Sequence, residues 1–163
     1  MSGAIAFPGS SELPSRDKEL VMAVELGRRL HTAGRARDSA ILVRHAWIQI
    51  LRPTFGQRAF LAAVALSQLL HWFELIDPNK PGVWRTKFFD EQGMPVSLLS
   101  CKSIAETLCV HETTIWRVWK QLEADGLIIC GKVSTGDKRH ACVRPNFSNM
   151  VTFLETNAAL PPQ

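Results

Sequence analysis

The feature that most restricts what this chain can fold into is the run of residues 100–144, SCKSIAETLCVHETTIWRVWKQLEADGLIICGKVSTGDKRHACVR, where the hydrophobic period changes from helical to extended. Ile104, Ala105 and Leu108 recur at helical spacing and share one face of a short helix. Ser100 precedes it and can accept from the free N–H groups of its first turn. Cys109, Val110 and His111 read as a turn, with Val110 placed to plug the angle between two helices. In the second helix Ile115, Val118, Trp119 and Leu122 form the inward stripe, and Glu112 suits the positive end of the helix dipole. His111, Thr113, Thr114, Trp116, Arg117 and Lys120 are left facing outward. Gly126 fits the left-handed position just past a helix C-terminus. Leu127, Ile128 and Ile129 then open a strand, residues 131–140 form a loop, and Val143 ends a return strand.

Helix, turn, helix and hairpin in that order resemble the winged helix-turn-helix DNA-binding domains common among bacterial regulators. The resemblance is carried by Ser103-Ile-Ala-Glu-Thr-Leu-Cys-Val-His-Glu-Thr-Thr-Ile and by Leu122-Glu-Ala-Asp-Gly-Leu-Ile. A second segment, Ala65-Leu-Ser-Gln-Leu-Leu-His-Trp and then Val83-Trp84, is similar to phage and plasmid replication proteins of the replisome-organiser type. The two matches together span residues 59–144. They imply a mainly α fold with a small β-wing, in which a winged helix-turn-helix domain carries an additional N-terminal helix. They also imply double-stranded DNA as the partner, in replication initiation or transcriptional control of a plasmid or phage element.

Composition agrees with a globular DNA binder. The chain has 163 residues, 46% hydrophobic and 21% charged, enough for one domain with appended helices. Its net charge of +4 is unevenly spread: residues 28–58 hold seven arginines against one acid, Asp38. Residues 100–144 hold seven basic residues against five acids. A polyanion is expected to meet those two segments, the alternative being a solvated arginine face. No secretory signal is visible, and the apolar run 59–76 is interrupted by Gln68, His71 and Glu74, which suits a buried helix and a cytoplasmic protein without a membrane partner. Cys101, Cys109, Cys130 and Cys142 lack any CxxC spacing and read as small core residues, so no metal is expected. There is no nucleotide loop, no metal-binding box and no spaced carboxylate pair, so neither enzymatic activity nor a cofactor is expected.

The remaining chain divides as a mobile arm over 1–14, a helix and basic connector over 15–56, the DNA-binding domain over 57–147 and a tail over 148–163. The first helix starts at Ser15 and ends near residues 32–34, with Leu20, Ala23, Leu26 and Leu30 as its apolar stripe. That stripe either packs on the domain or forms a homodimer. Residues 41–51 are β-branched and read as mainly extended, with a helix as the alternative; Pro53 breaks them and Thr54 caps the next helix. Residues 57–76 form a helix apolar nearly all round, about 30 Å long at 1.5 Å per residue, with Phe60 and Ile76 among its apolar positions. Residues 84–89 are extended or one helical turn, and residues 96–99 form a small strand pairing with the wing. The tail holds one helical turn around residues 150–154.

Thr113, Thr114 and Arg117 are the first choices for base or phosphate contacts, since the first two turns of such a helix reach the groove floor. Arg117 can hold guanine by two hydrogen bonds. Lys120 is placed for phosphate, and Lys102, Lys132, Lys138 and Arg139 for the flanking backbone or the minor groove. His111 reads as a helix cap that also borders the DNA face. Trp116 is expected to pack under the Trp84 segment or on a partner protein, the alternative being a stack on sugar-phosphate or thymine methyls. The competing function is a winged-helix interaction module that inhibits or recruits a replication or transcription protein without touching DNA.

Overall fold

The computed structural model describes residues 15–34 and 45–159; the expected arm over 1–14 and connector at 35–38 lie outside them. The described elements are α1 (Arg16–Gly34), α2 (His45–Phe55), α3 (Ala59–His71), β1 (Phe88–Phe89), β2 (Pro95–Val96), α4 (Cys101–Leu108), α5 (Glu112–Ala124), β3 (Ile128–Thr135), β4 (Lys138–Pro145) and α6 (Phe147–Ala159). A 3₁₀ turn, Gly56–Arg58, joins α2 to α3. The fold is therefore helical, with two small antiparallel hairpins, β1–β2 and β3–β4.

Local chemistry places α4 and α5 as their sequence suggests. The Ser100 hydroxyl accepts from Ser103 N at 3.1 Å and starts α4. Ile104 and Ala105 face inward, as do Ile115, Val118, Trp119 and Leu122 of α5. At the end of α5, Gly126 takes φ +80°, Leu127 N donates to Leu122 O, and Gly126 N donates to Glu123 O. That closes the helix in a Schellman motif, with the fully buried Leu127 and Leu122 as its apolar contact. The end of α4 repeats the motif: Val110 N donates to Ala105 O and Cys109 N to Glu106 O. Here the left-handed position is Cys109, at φ 56°, ψ 42°. A left-handed side-chain-bearing residue costs about 1–2 kcal/mol, and glycine returns about half of that in unfolded-chain entropy. Cys109→Gly is therefore expected to raise the unfolding free energy by up to about 1 kcal/mol, read as a higher urea midpoint with an unchanged m-value. A lowered midpoint would mean that the thiol contributes something the turn needs.

Four elements differ from their local signals. Residues 45–55 are helical instead of extended, and Pro53 lies inside α2 instead of ending it. Burial overrides the β-branched run: Trp47 and Leu51, one turn apart, sit in the core, with Trp47 edge-on to Phe153 at 5.8 Å. α3 spans 13 residues, about 20 Å instead of 30 Å. It stops because residues 72–76 are captured by a pairing: Leu75 bridges Trp84, Leu75 N donates to Gly27 O, and Thr86 N donates to Trp72 O. Ile76 is consequently exposed, and Phe60, in the first turn of α3, is exposed as well, so neither belongs to the apolar stripe. The segment after Trp84 is extended and ends in β1, which pairs with β2. Ser97 then bridges Val143 of β4, so the short stretch before α4 does reach the hairpin as expected. Residues 131–140 are strand rather than loop, since β3 and β4 stay paired out to Thr135 and Lys138 around a Gly136-Asp137 turn.

The expected tail is the helix α6, and it belongs to the core. Phe147, Met150, Val151 and Phe153 are buried, and Phe147 lies edge-on to Phe73 at 5.8 Å. One apolar cluster runs from Ala23 of α1 to Phe153 of α6, so the partition at residues 56 and 147 does not separate cores. α1 docks closely: a Cβ at Gly27 would stand 2.7 Å from Leu75 Cγ and 2.9 Å from Phe73 O. Of the two readings of the α1 stripe, packing on its own chain accounts for Ala23 and Leu26, both fully buried.

Candidate nucleic-acid interface

The outward side of α5 is set by its cap and its core stripe. His111 is the N-cap, its Nδ1 accepting from Thr113 N at 3.1 Å, which orients the first turn with Glu112 beside the dipole's positive end. Anchoring the Ile115–Val118–Trp119–Leu122 stripe leaves His111, Thr113, Trp116, Arg117 and Lys120 exposed. Thr114, an expected base contact, is instead half-buried. Lys102 is exposed in the first turn of α4.

Trp116 does not pack under the Trp84 segment. Trp84 is 4% exposed, its Nε1 donates to Ala23 O, and its ring meets Phe89. Trp116 is 52% exposed, and the Lys120 ammonium lies 5.8 Å from its ring centroid. Lys120 also approaches Glu123 at 3.9 Å, so its charge is partly answered within the helix.

The hairpin register divides its cations. Paired residues share a face, so Lys132 and Ala141, and Ser134 and Arg139, lie on the side that carries Cys130 and Val143 at the base. Val143 is buried against the helices, which makes this the helix-facing side. Lys138 pairs with Thr135 on the opposite side, with Val133 and His140. Lys132, Lys138 and Arg139 are all exposed.

The thiols take no part in this chemistry. Burial, with Glu123 next to it, pushes Cys130 up to about 12. Burial likewise raises Cys101 and Cys142, so all three stay protonated at neutral pH. Cys109 is exposed on the turn, contrary to its reading as a core residue. Among the described residues no group of three or more His, Cys, Asp or Glu comes together, and no helix is long and apolar enough to cross a membrane.

The described arginines fall into two sets. Arg16, Arg28, Arg29, Arg85 and Arg144 pair with carboxylates, whereas Arg52, Arg58, Arg117 and Arg139 have no partner among the described residues. Arg52 and Arg58, at the end of α2 and in the 3₁₀ turn, were visible in the sequence only as part of an arginine excess. Comparison with protein-family models, with curated proteins and with solved structures found no match.

Proposed function

We propose that the chain is a winged helix-turn-helix protein that binds double-stranded DNA, with α5 entering the major groove and the β3–β4 hairpin as the wing. The observation that carries this reading is the segregation of arginines. Those of α1, of the segment after Trp84 and of the base of β4 are neutralised, while Arg117 on α5, Arg139 on the hairpin, and Arg52 and Arg58 around the end of α2 are exposed and unpaired among the described residues. Lys102, Lys132 and Lys138 add three more exposed cations without partners among the described residues. Unpaired cations repel one another and gain most from a polyanion, which releases counterions on binding. The biological task under this reading is replication initiation or transcriptional control. A homodimer through α1 would use its outer face, where Val21 is 62% exposed, because the inner stripe is occupied.

Lys138→Ala supplies the test. It is expected to weaken binding to all duplexes alike and to make the slope of log K against log salt shallower by about 0.9, one phosphate contact. Fluorescence anisotropy with a labelled duplex, repeated over a range of sodium chloride concentrations, reads both quantities. One observation favours a second reading, docking of a partner protein on the same surface: the half-exposed Trp116, an aromatic type enriched at protein interfaces. Absence of any duplex binding at physiological salt would leave that second reading standing.

A further inference from the structure

Beside α5 lies a groove of about 450 Å³, formed where α2 ends and the 3₁₀ turn begins. Thr54, Gln57 and Arg58 line one wall, and Arg117 and Gln121 line the other. Both guanidinium groups are without a partner among the described residues. The Thr54 hydroxyl is buried and has no hydrogen-bond partner among the described residues. A buried hydroxyl is costly to leave without a partner, so a ligand that accepts from it is favoured. Among the described residues no carboxylate lines the groove. Negative charge near its walls comes from Asp125, held by the Gln121 amide nitrogen at 3.0 Å, and from the C-terminal carbonyls of α2. A helix end carries about half a unit charge, so with the Asp125 carboxylate the negative side comes to about 1.5 charges against two guanidinium groups.

The larger depression, about 760 Å³ between Arg16, Glu19, Glu91 and Arg144, has no such imbalance. It carries two carboxylates, and its Arg144 is already committed to Glu19 at 3.2 Å.

We propose that the Arg58–Arg117 groove is a seat for a phosphate-type oxyanion. Two arginines line one cleft, and their forked donors suit a phosphate held by more than one arginine. The proposal deepens the DNA reading and rests on it only for the source of the phosphate. If the source is DNA, the interface extends from α5 onto the end of α2, and the phosphate lies at the flank of the groove that α5 enters.

The full-length protein and its Arg58→Ala and Thr54→Val variants test this in two arms. In the first, anisotropy with a labelled duplex is expected to give Arg58→Ala a salt slope shallower by about 0.9, with equal weakening on every sequence. In the second, sodium pyrophosphate is titrated without DNA and thermal unfolding is monitored. A rise in Tm that Arg58→Ala abolishes and Thr54→Val reduces shows that the seat takes free phosphate. Loss in the first arm alone assigns it to the DNA backbone. Wild-type slopes and unchanged pyrophosphate responses in Arg58→Ala overturn the seat, and a shallower slope in Lys138→Ala would then leave the DNA reading intact. Failure of the parent protein to bind duplex, with an Arg58-dependent pyrophosphate response, overturns the DNA reading and keeps the seat.

Discussion

Glu19→Ala is expected to destabilise the protein by about 3–5 kcal/mol, the loss typical of removing one partner from a buried ion pair. Glu19 is 2% exposed, and its carboxylate serves two elements far away in the chain. Oε2 accepts from Arg144 Nη1 at 3.2 Å and from Phe147 N at 3.3 Å. Oε1 accepts from the Ser148 hydroxyl at 2.6 Å and from Ser148 N at 3.3 Å. One side chain thus ties α1 to β4 and caps the start of α6, and alanine would leave the largely buried Arg144 guanidinium without a carboxylate, held only by the Pro145 carbonyl and the Phe147 ring. For a domain of this size each kcal/mol moves Tm by roughly 2–4 °C, so a drop on the order of 10 °C is expected in thermal unfolding. Glu19→Gln keeps an acceptor and removes the charge, so it should fall between parent and Glu19→Ala. A loss below about 1 kcal/mol in Glu19→Ala, the level of an exposed pair, would mean that α6 is held by its apolar side alone.

The same residue shows where sequence reading stops. In the sequence Glu19 is an acid in the first turn of a helix, a position its own helix dipole explains. Its real partners lie 125 to 129 residues further on, and no local pattern connects them. The two helices and their caps over 100–126 were legible because each of their signals is local. Ser100 caps within three residues, His111 within two, and Gly126 reverses the chain between neighbours. Residues 45–55 misled because β-branching is a weak preference, and tertiary burial of Trp47 and Leu51 outweighs it. α3 was overextended because Phe73 keeps a helical spacing from Leu66 and Leu69, although it is buried from the non-helical run beyond the helix. At the candidate interface the outward residues of α5 were readable from the helical period, except the half-buried Thr114. The division of Lys132 and Arg139 from Lys138 needed the register, and the pairing of Arg58 with Arg117 across a groove needed the packing of α2 beside α5.

Arg117→Ala is expected to weaken binding to a preferred duplex by about 1–3 kcal/mol, roughly 5- to 150-fold, and to relax the preference itself. Arg117 is exposed and bonded to nothing among the described residues, so its removal should leave unfolding unchanged and the loss can be read as binding. Two roles compete for this side chain. As a base reader from α5 it would set sequence preference; as one wall of the Arg58 groove it would hold phosphate and set none. Arg117→Lys separates them, because an ammonium keeps the charge and gives up the two-pronged geometry. If Arg117 reads a base, lysine restores the salt slope and leaves the preference lost. If Arg117 only holds phosphate, alanine weakens every duplex equally and lysine recovers most of the affinity. Selection of preferred duplexes from a random pool, then anisotropy on a preferred and a scrambled site, gives both quantities. Parent-like affinity and preference in Arg117→Ala would take α5 out of the interface and leave only the hairpin cations to account for any DNA binding.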